Sequence, residues 1–263
     1  MSDPSETSSE SVFADLTGQT ALVTGSSNGI GRAIAIELAQ AGAAVIIHCR
    51  QSRESADAVH AEIRAFGGTA AILQSDLGQP SQLEEFAEQA WNCFSGVDHW
   101  VNNAGADLLT GADAELAYAD KLQRLFEVDI RSTLILSRLS ARRMRAAGHG
   151  TILNVGWDQA DRGMDGDSGE LFATAKNAIM GATRSLALSY APQVRVNCIA
   201  PGWIRTAWGE QASDTWQQRV LDETPLRRWG SPEDVARMAR FLLSPSAAYI
   251  TGQVIRVNGG AER

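Results

Sequence analysis

Residues 20–31, Thr-Ala-Leu-Val-Thr-Gly-Ser-Ser-Asn-Gly-Ile-Gly, constrain the fold more than any other stretch of the chain. Thr20 to Thr24 form a short apolar run that reads as a buried strand. From Ile30 to Ala41 the apolar residues Ile34, Leu38 and Ala41 recur at helical spacing, so the glycines lie between a strand and the start of a helix. A phosphate cradle needs that context. Gly25 permits a tight turn, Gly29 lets backbone approach a pyrophosphate, and Gly31 lets the helix pack closely on the strand. The helix N-terminus then offers N–H groups and a partial positive charge to phosphates. The turn predicts a dinucleotide-binding unit.

The rest of the chain repeats the alternation of strand and helix. Further strands are expected at Ala44–Ile47, Ala70–Leu73, Val97–Val101, Thr151–Val155, Val194–Ile199 and Val254–Val257. Helical patterns cover Glu54–Phe66, Ser81–Cys93, a long segment ending near Arg145, Phe172–Tyr190, and Pro232–Leu243 with Ser231 as its N-cap. Such alternation specifies an α/β fold, a Rossmann-type doubly wound parallel sheet of about seven strands with helices on both faces. Residues 1–15, rich in Ser and Glu, are expected to be a flexible tail, and 16–263 a single domain. The tail lacks the basic start and apolar stretch of a signal peptide, and no apolar stretch is long enough for a membrane span. A net charge of -8 without a basic cluster gives no sign of a nucleic-acid partner. Cys49, Cys93 and Cys198 have neither metal-ligand spacing nor the even count of a disulfide framework, so no metal is expected and a reducing cytoplasm is the simplest compartment.

With these residues in place, the chain resembles the short-chain dehydrogenase/reductase family, classical type, over about residues 16 to 260. Thr24 to Gly31 matches that family's cofactor turn, including Ser27, Asn28 and Ile30. Asp76-Leu77 matches the acid and neighbour that hold the adenine, and Asn102-Asn103-Ala104-Gly105 its stabilising turn after the fourth strand. Lys176 matches the active-site lysine. Pro201-Gly202 through Ile204 and Thr206 matches the loop that closes on the nicotinamide, and Gly252-Gln253 through Gly259-Gly260 the C-terminal signature. The resemblance implies a nicotinamide cofactor, a small-molecule substrate, and a homotetramer or homodimer assembled through the fourth and fifth helices, where Leu134, Leu136 and Leu139 suit a buried seam.

The end of the second strand chooses between NAD and NADP. NAD sites place an acid there for the ribose 2′-OH. Here Cys49 takes that position and Arg50 follows, able to hold a 2′-phosphate by charge-assisted hydrogen bonds, with Ser52 adding a hydroxyl. NADP(H) is therefore expected ahead of NAD(H).

The catalytic positions depart from the family. The resemblance calls for a Tyr proton donor four residues before the lysine, a Ser that orients the substrate oxygen, and an Asn in the fourth helix that holds a relay water. This chain has Phe172, then Trp157 or Asp158, then Asp129. Phe172 has no hydroxyl to donate, and Tyr118, Tyr190 and Tyr249 lie outside the motif. Losing a general acid costs ~10²–10⁴ in rate, which an easily reduced substrate or another donor offsets. Asp158 is the first substitute: like-charged neighbours and burial beside Trp157 would raise its pKa. Asp161, Asp165, Asp167 and Glu170 crowd the same segment and read as a solvated acidic loop. Within the family, Asp at the Ser position and the His48-Cys49-Arg50 strand end are similar to pteridine reductases, while the general pattern also resembles ketoacyl-carrier reductases.

Trp203 and Trp208 lie in the loop that covers the substrate in this family, with Trp216 further on. Together with Trp157 and Met164 they point to a flat or apolar ligand. Trp229 and Trp91 read as structural. Three functions remain open from the residues: an NADP-dependent oxidoreductase with an altered proton donor, acting on a carbonyl, imine or C=C group; a cofactor-binding sensor or assembly subunit without turnover; and a lyase or isomerase that uses the acidic loop.

Overall fold

A computed structural model of the chain describes residues 13–110 and 112–261. The apolar runs form seven parallel strands: β1 (Thr20–Val23), β2 (Ala44–Cys49), β3 (Thr69–Gln74), β4 (His99–Asn102), β5 (Gly150–Val155), β6 (Val194–Pro201) and β7 (Val254–Val257). They lie in the order β3-β2-β1-β4-β5-β6-β7. Central strands of such a sheet are covered on both faces, which is why they read as continuous apolar runs. Side chains nonetheless alternate. Ala21, Val23, Val45 and Ile47 point into a core under α1 (Gly29–Gln40), α2 (Arg53–Ala65) and α9 (Pro232–Leu243). Leu22, Ile46, Trp100 and Ile152 point into the opposite core, under α3 (Leu83–Cys93), α5 (Ser132–Ala147) and α6 (Asp167–Tyr190). The expected doubly wound sheet is thus present. The strand order turns back between β1 and β4, and ligands of such sheets bind at the carboxyl ends beside that point.

Several boundaries differ from the sequence reading. Of the acidic residues expected to form a solvated loop before Phe172, Asp161 and Asp165 do lie exposed ahead of α6, whereas the helix itself starts earlier than expected, at Asp167. Asp167 and Glu170 occupy its first turn, where carboxylates complement the helix dipole. The long helix before β5 is interrupted: α4 (Tyr118–Leu125) runs into a π-helical segment, Phe126–Arg131, and then α5. Leu136 is fully buried inside the chain and so cannot form part of a subunit seam, whereas Leu134 and Leu139 are half-buried. Ser231 does cap α9, in a reciprocal box with Asp234. At the other end, Phe13–Asp15 fall within the expected tail, yet the Ala14 N–H donates to Ser246 Oγ (3.0 Å), Arg240 Nε donates to the Ala14 carbonyl (2.8 Å), and Phe13 stacks on Phe241. Residues 1–12 of that tail lie outside the described residues. No helix among the described residues is long and apolar enough to cross a membrane.

Candidate active site

The glycine turn leaves β1 and is fixed from three sides. Thr24 Oγ1 accepts hydrogen bonds from the N–H groups of Asn103 (2.9 Å) and Ala104 (3.0 Å). Asn103 Nδ2 donates to the carbonyls of Thr24 (3.0 Å) and Gly25 (3.1 Å). From β2, His48 Nδ1 accepts the Gly25 N–H at 2.9 Å while Nε2 donates to the Ser75 carbonyl at 3.1 Å. Burial pushes the His48 pKa down to about 4, which keeps the ring neutral and able to accept at Nδ1. The sequence reading passed over His48 in this role; its signal was a lone histidine in an otherwise apolar strand.

This crowding explains the glycines. A Cβ on Gly31 would stand 2.3 Å from the Gly25 carbonyl oxygen and 2.4 Å from Asn103 Nδ2. A Cβ on Gly25, whose φ is +62, would meet Ala104 Cα at 2.9 Å. The Asn28 side chain makes no cap to α1, so the first-turn amides of that helix are left for a ligand. Backbone N–H groups at a helix start beside close-packed glycines fit a pyrophosphate.

A cleft of about 840 Å³ opens over this turn. It brings together Gly25, Ser27, Asn28, Gly29, Ile30 and Gly31 with Arg50 and Ser52 from beyond β2, Asp76 and Leu77 from beyond β3, and Asn103, Ala104 and Gly105 from beyond β4. Thr206 closes it from the far side. Cys49 is buried where an acid would sit, and Arg50 is exposed at the rim.

A second cavity of about 730 Å³ continues from the first; Ile30, Asn103, Gly105, Asp107, Phe172 and Thr206 are among the residues that line both. It collects the remaining expected residues except Asp158: Asp129, Trp157, Met164, Lys176, Pro201, Gly202, Trp203 and Ile204. Phe172 and Lys176 lie one turn apart on α6. The Lys176 ammonium stands 3.0 Å from Asp129 Oδ1 and 3.4 Å from the Val155 carbonyl. Asp129 Oδ2 accepts the Ala106 N–H at 2.8 Å; Oδ1 receives no well-directed hydrogen bond among the described residues and is held by the ammonium charge alone. Asp129 comes from the π-helical segment, and such insertions recur where a helix must re-aim a side chain.

Asp158 does not do what the sequence reading expected. It is 2% exposed, lines neither cavity, and its Oδ2 accepts a hydrogen bond from Asn258 at 3.2 Å. Its pKa is pushed up to about 6, but by burial; like-charged neighbours are not the cause, and the Asn258 hydrogen bond, Arg162 and Arg256 all pull the other way. Trp157 takes the cavity-facing position instead, backed by Met180 and Cys198. The two are adjacent just past the end of β5, and neighbours leaving a strand face opposite ways.

The far wall is aromatic. Trp203 lies between Trp208 (6.1 Å), Trp216 (5.3 Å) and Trp229 (6.4 Å), ring centre to ring centre. These residues come from the loop after β6, from α7 (Ala207–Gln211), from α8 (Asp214–Glu223) and from the turn before α9. Trp203 Nε1 donates to Glu223 Oε2 at 3.2 Å, and the Arg219 guanidinium covers Trp216 at 4.6 Å. Trp229 is buried behind them, whereas Trp91 sits far off under Arg143. No cluster of residues that could hold a metal occurs among the described residues.

Comparisons with known proteins agree on what such a cleft belongs to. A family model described as enoyl-(acyl carrier protein) reductase matches residues 25–262. The 3-oxoacyl-(acyl-carrier-protein) reductase FabG of Aquifex aeolicus is 39% identical over 250 residues, spanning 93% of this chain and 98% of that protein. A 7α-hydroxysteroid dehydrogenase solved with NADH and 7-oxo glycochenodeoxycholic acid superposes with a TM-score of 0.85 at 34% identity, covering 94% of this chain and 95% of its own. A candidate NAD(P)-dependent gluconate 5-dehydrogenase from Beutenbergia cavernae, solved with NADP, does so with a TM-score of 0.85 at 35% identity, covering 94% and 98%.

Proposed function

The chain belongs to the short-chain dehydrogenase/reductase family of oxidoreductases, and on that premise we propose that it is an NADP(H)-dependent oxidoreductase whose reaction centre is rebuilt around Phe172. A bound nicotinamide dinucleotide supplies or takes a hydride. The α1 amides and the glycine turn hold its pyrophosphate, Asp76 and Leu77 its adenine, and Arg50 with Ser52 a 2′-phosphate. Pro201, Gly202, Ile204 and Thr206 would flank the nicotinamide end, and Lys176, paired with Asp129, would hold the nearby ribose. Trp157, Met164, Trp203 and Trp208 grip a small flat or apolar substrate. Like its family, the chain assembles with copies of itself; Leu122 and Phe126, exposed one turn apart around the end of α4, suit that contact.

The carrying observation is the pairing of a retained Lys176 with a hydroxyl-free ring at Phe172, both on one cavity wall. Hydride transfer needs a nicotinamide held in place, to which Lys176 contributes, and does not itself need a hydroxyl at position 172. The same ring also favours a second reading, in which the protein binds its cofactor without turnover. Phe172→Tyr separates the two. Assayed by NADPH absorbance against a ketone panel, the variant is expected to gain about 10²–10⁴ in kcat/KM, the typical worth of a general acid. No turnover by either protein on ketones, quinones, dihydropterins or imines, despite NADPH binding, would favour the second reading.

A further inference from the structure

Every proton source in the reaction cavity is a poor one. Phe172 has none. Ser168 and Thr206 bring aliphatic hydroxyls, far weaker acids than a phenol. The Lys176 ammonium would strand Asp129, whose side chain is 1% exposed, if it gave up its proton. Asp158 faces elsewhere. A hydride delivered to a ketone leaves an alkoxide that must be protonated as it forms, and no strong acid among the described residues lines the cavity to do so.

The cavity walls suit a different electrophile. Five aromatic rings, Trp157, Phe172, Trp203, Trp208 and Trp216, line it; one face of Trp216 already carries Arg219, and aromatic faces attract cations. Four carboxylates, Asp107, Asp129, Asp165 and Asp167, line it against the single ammonium of Lys176. Asp129 neutralises that ammonium, and Asp107 is tied to the N–H groups of Leu109 and Thr110 (2.9 and 3.0 Å). Asp165 and Asp167 stand at the mouth. Asp167 also serves the start of α6, but Asp165 precedes the helix and has no such duty.

Resting on the oxidoreductase reading above, we infer that this cavity takes a flat organic cation whose charge lies on the reacting bond, an iminium ion, in preference to a neutral ketone. The iminium carbon accepts a hydride from reduced nicotinamide dinucleotide. The C=N π pair withdraws onto nitrogen as a lone pair, giving a neutral amine, and the positive charge passes to the oxidised dinucleotide. No proton is consumed, so the loss of the phenol costs this reaction nothing.

The test uses a matched pair of probes, N-methyl-3,4-dihydroisoquinolinium and its neutral relative 1-tetralone. Calorimetric titration of the full-length protein saturated with redox-inert 1,4,5,6-tetrahydro-NADP, whose nicotinamide ring is neutral like that of NADPH, is expected to give about tenfold tighter binding of the cation. That preference should shrink with added salt and weaken about three- to tenfold in Asp165→Asn/Asp167→Asn. With NADPH deuterated at nicotinamide C4, deuterium should appear at C1 of the N-methyl amine, with a solvent isotope effect near unity, and tetralone should react about 100-fold more slowly. Equal or tighter binding of tetralone, or its faster reduction, overturns the inference. So does absence of iminium reduction by the wild type when Phe172→Tyr reduces tetralone, an outcome that leaves the oxidoreductase reading intact. Absence of reduction by both proteins, with NADPH still bound, brings down that reading and this inference together.

Discussion

At the glycine-turn end of the cleft, the parts that would meet a dinucleotide are largely main chain: the amides of α1, the turn through Gly25 and Gly31, and the carbonyls and amides pinned by Thr24, Asn103 and His48. At the reaction end they are side chains: a lysine on a buried carboxylate, a phenyl ring, and a wall of indoles. The two ends respond differently to substitution. Backbone groups are the same in every residue, so a main-chain site persists as long as nothing larger than glycine intrudes. A side-chain site changes its chemistry with one oxygen atom, as between Tyr and Phe172. Cofactor and reaction must therefore be argued separately.

The contrast is sharpest at Gly31. Gly31→Ala puts a methyl group 2.3 Å from the Gly25 carbonyl, and relieving the overlap costs about 1–3 kcal/mol while displacing the turn itself. NADPH binding by calorimetry is expected to be lost, with a melting temperature several degrees lower; unaltered binding would break the picture of a close-packed backbone cradle. Arg50 is, with Asp76 and Ser52, one of the side chains with a proposed recognition task at this end. Arg50→Ala should weaken NADPH about 10- to 100-fold, at ~1.5–3 kcal/mol for a hydrogen bond to a charged group, and leave NADH unchanged. Equal losses for the two dinucleotides would remove Arg50 as the 2′-phosphate partner.

The smallest effect concerns stability near the reaction end. The Asp158 pKa is raised from 3.8 to about 6 in the folded chain. Its contribution to stability is therefore fully present below about pH 4 and lost as pH rises through 6. Asp158→Asn keeps an acceptor for Asn258 and carries no charge at any pH. It should be more stable than the wild type by about 1–2 kcal/mol at pH 8, with the gap closing toward pH 4, as read from urea unfolding. His48, lowered from 6.5 to about 4, shifts stability the opposite way over nearly the same range, and comparing the variant with the wild type cancels it. A gap that does not change with pH would mean that Asp158 is not held in the way its burial implies.

The residues that announced the fold are those whose role is fixed by local chemistry. Seven apolar runs and a glycine turn after the first of them suffice for the sheet and the cofactor cleft. What stayed hidden depends on tertiary direction. The π-helical segment that aims Asp129 at Lys176 adds one residue to a helical turn without disturbing the apolar pattern enough to be noticed. The start of α6 was masked because Asp167 and Glu170 suit solvent and a helix N-terminus equally well. Whether Trp157 or Asp158 faces the cavity turns on a single residue of register at a strand end, which no pattern in one sequence resolves. His48 gave only its identity, since the hydrogen bond to Gly25 spans two strands.

Four of the chain's seven tryptophans stand ring against ring around Trp203. Indoles this close pass excitation among themselves before they emit, so the cluster behaves optically as one chromophore with a face on the substrate cavity. Anything that settles against Trp208 or Trp216 would dim the whole group at once. The protein therefore carries its own light-based report of whether that cavity is filled, readable at low protein concentration and without attaching a label.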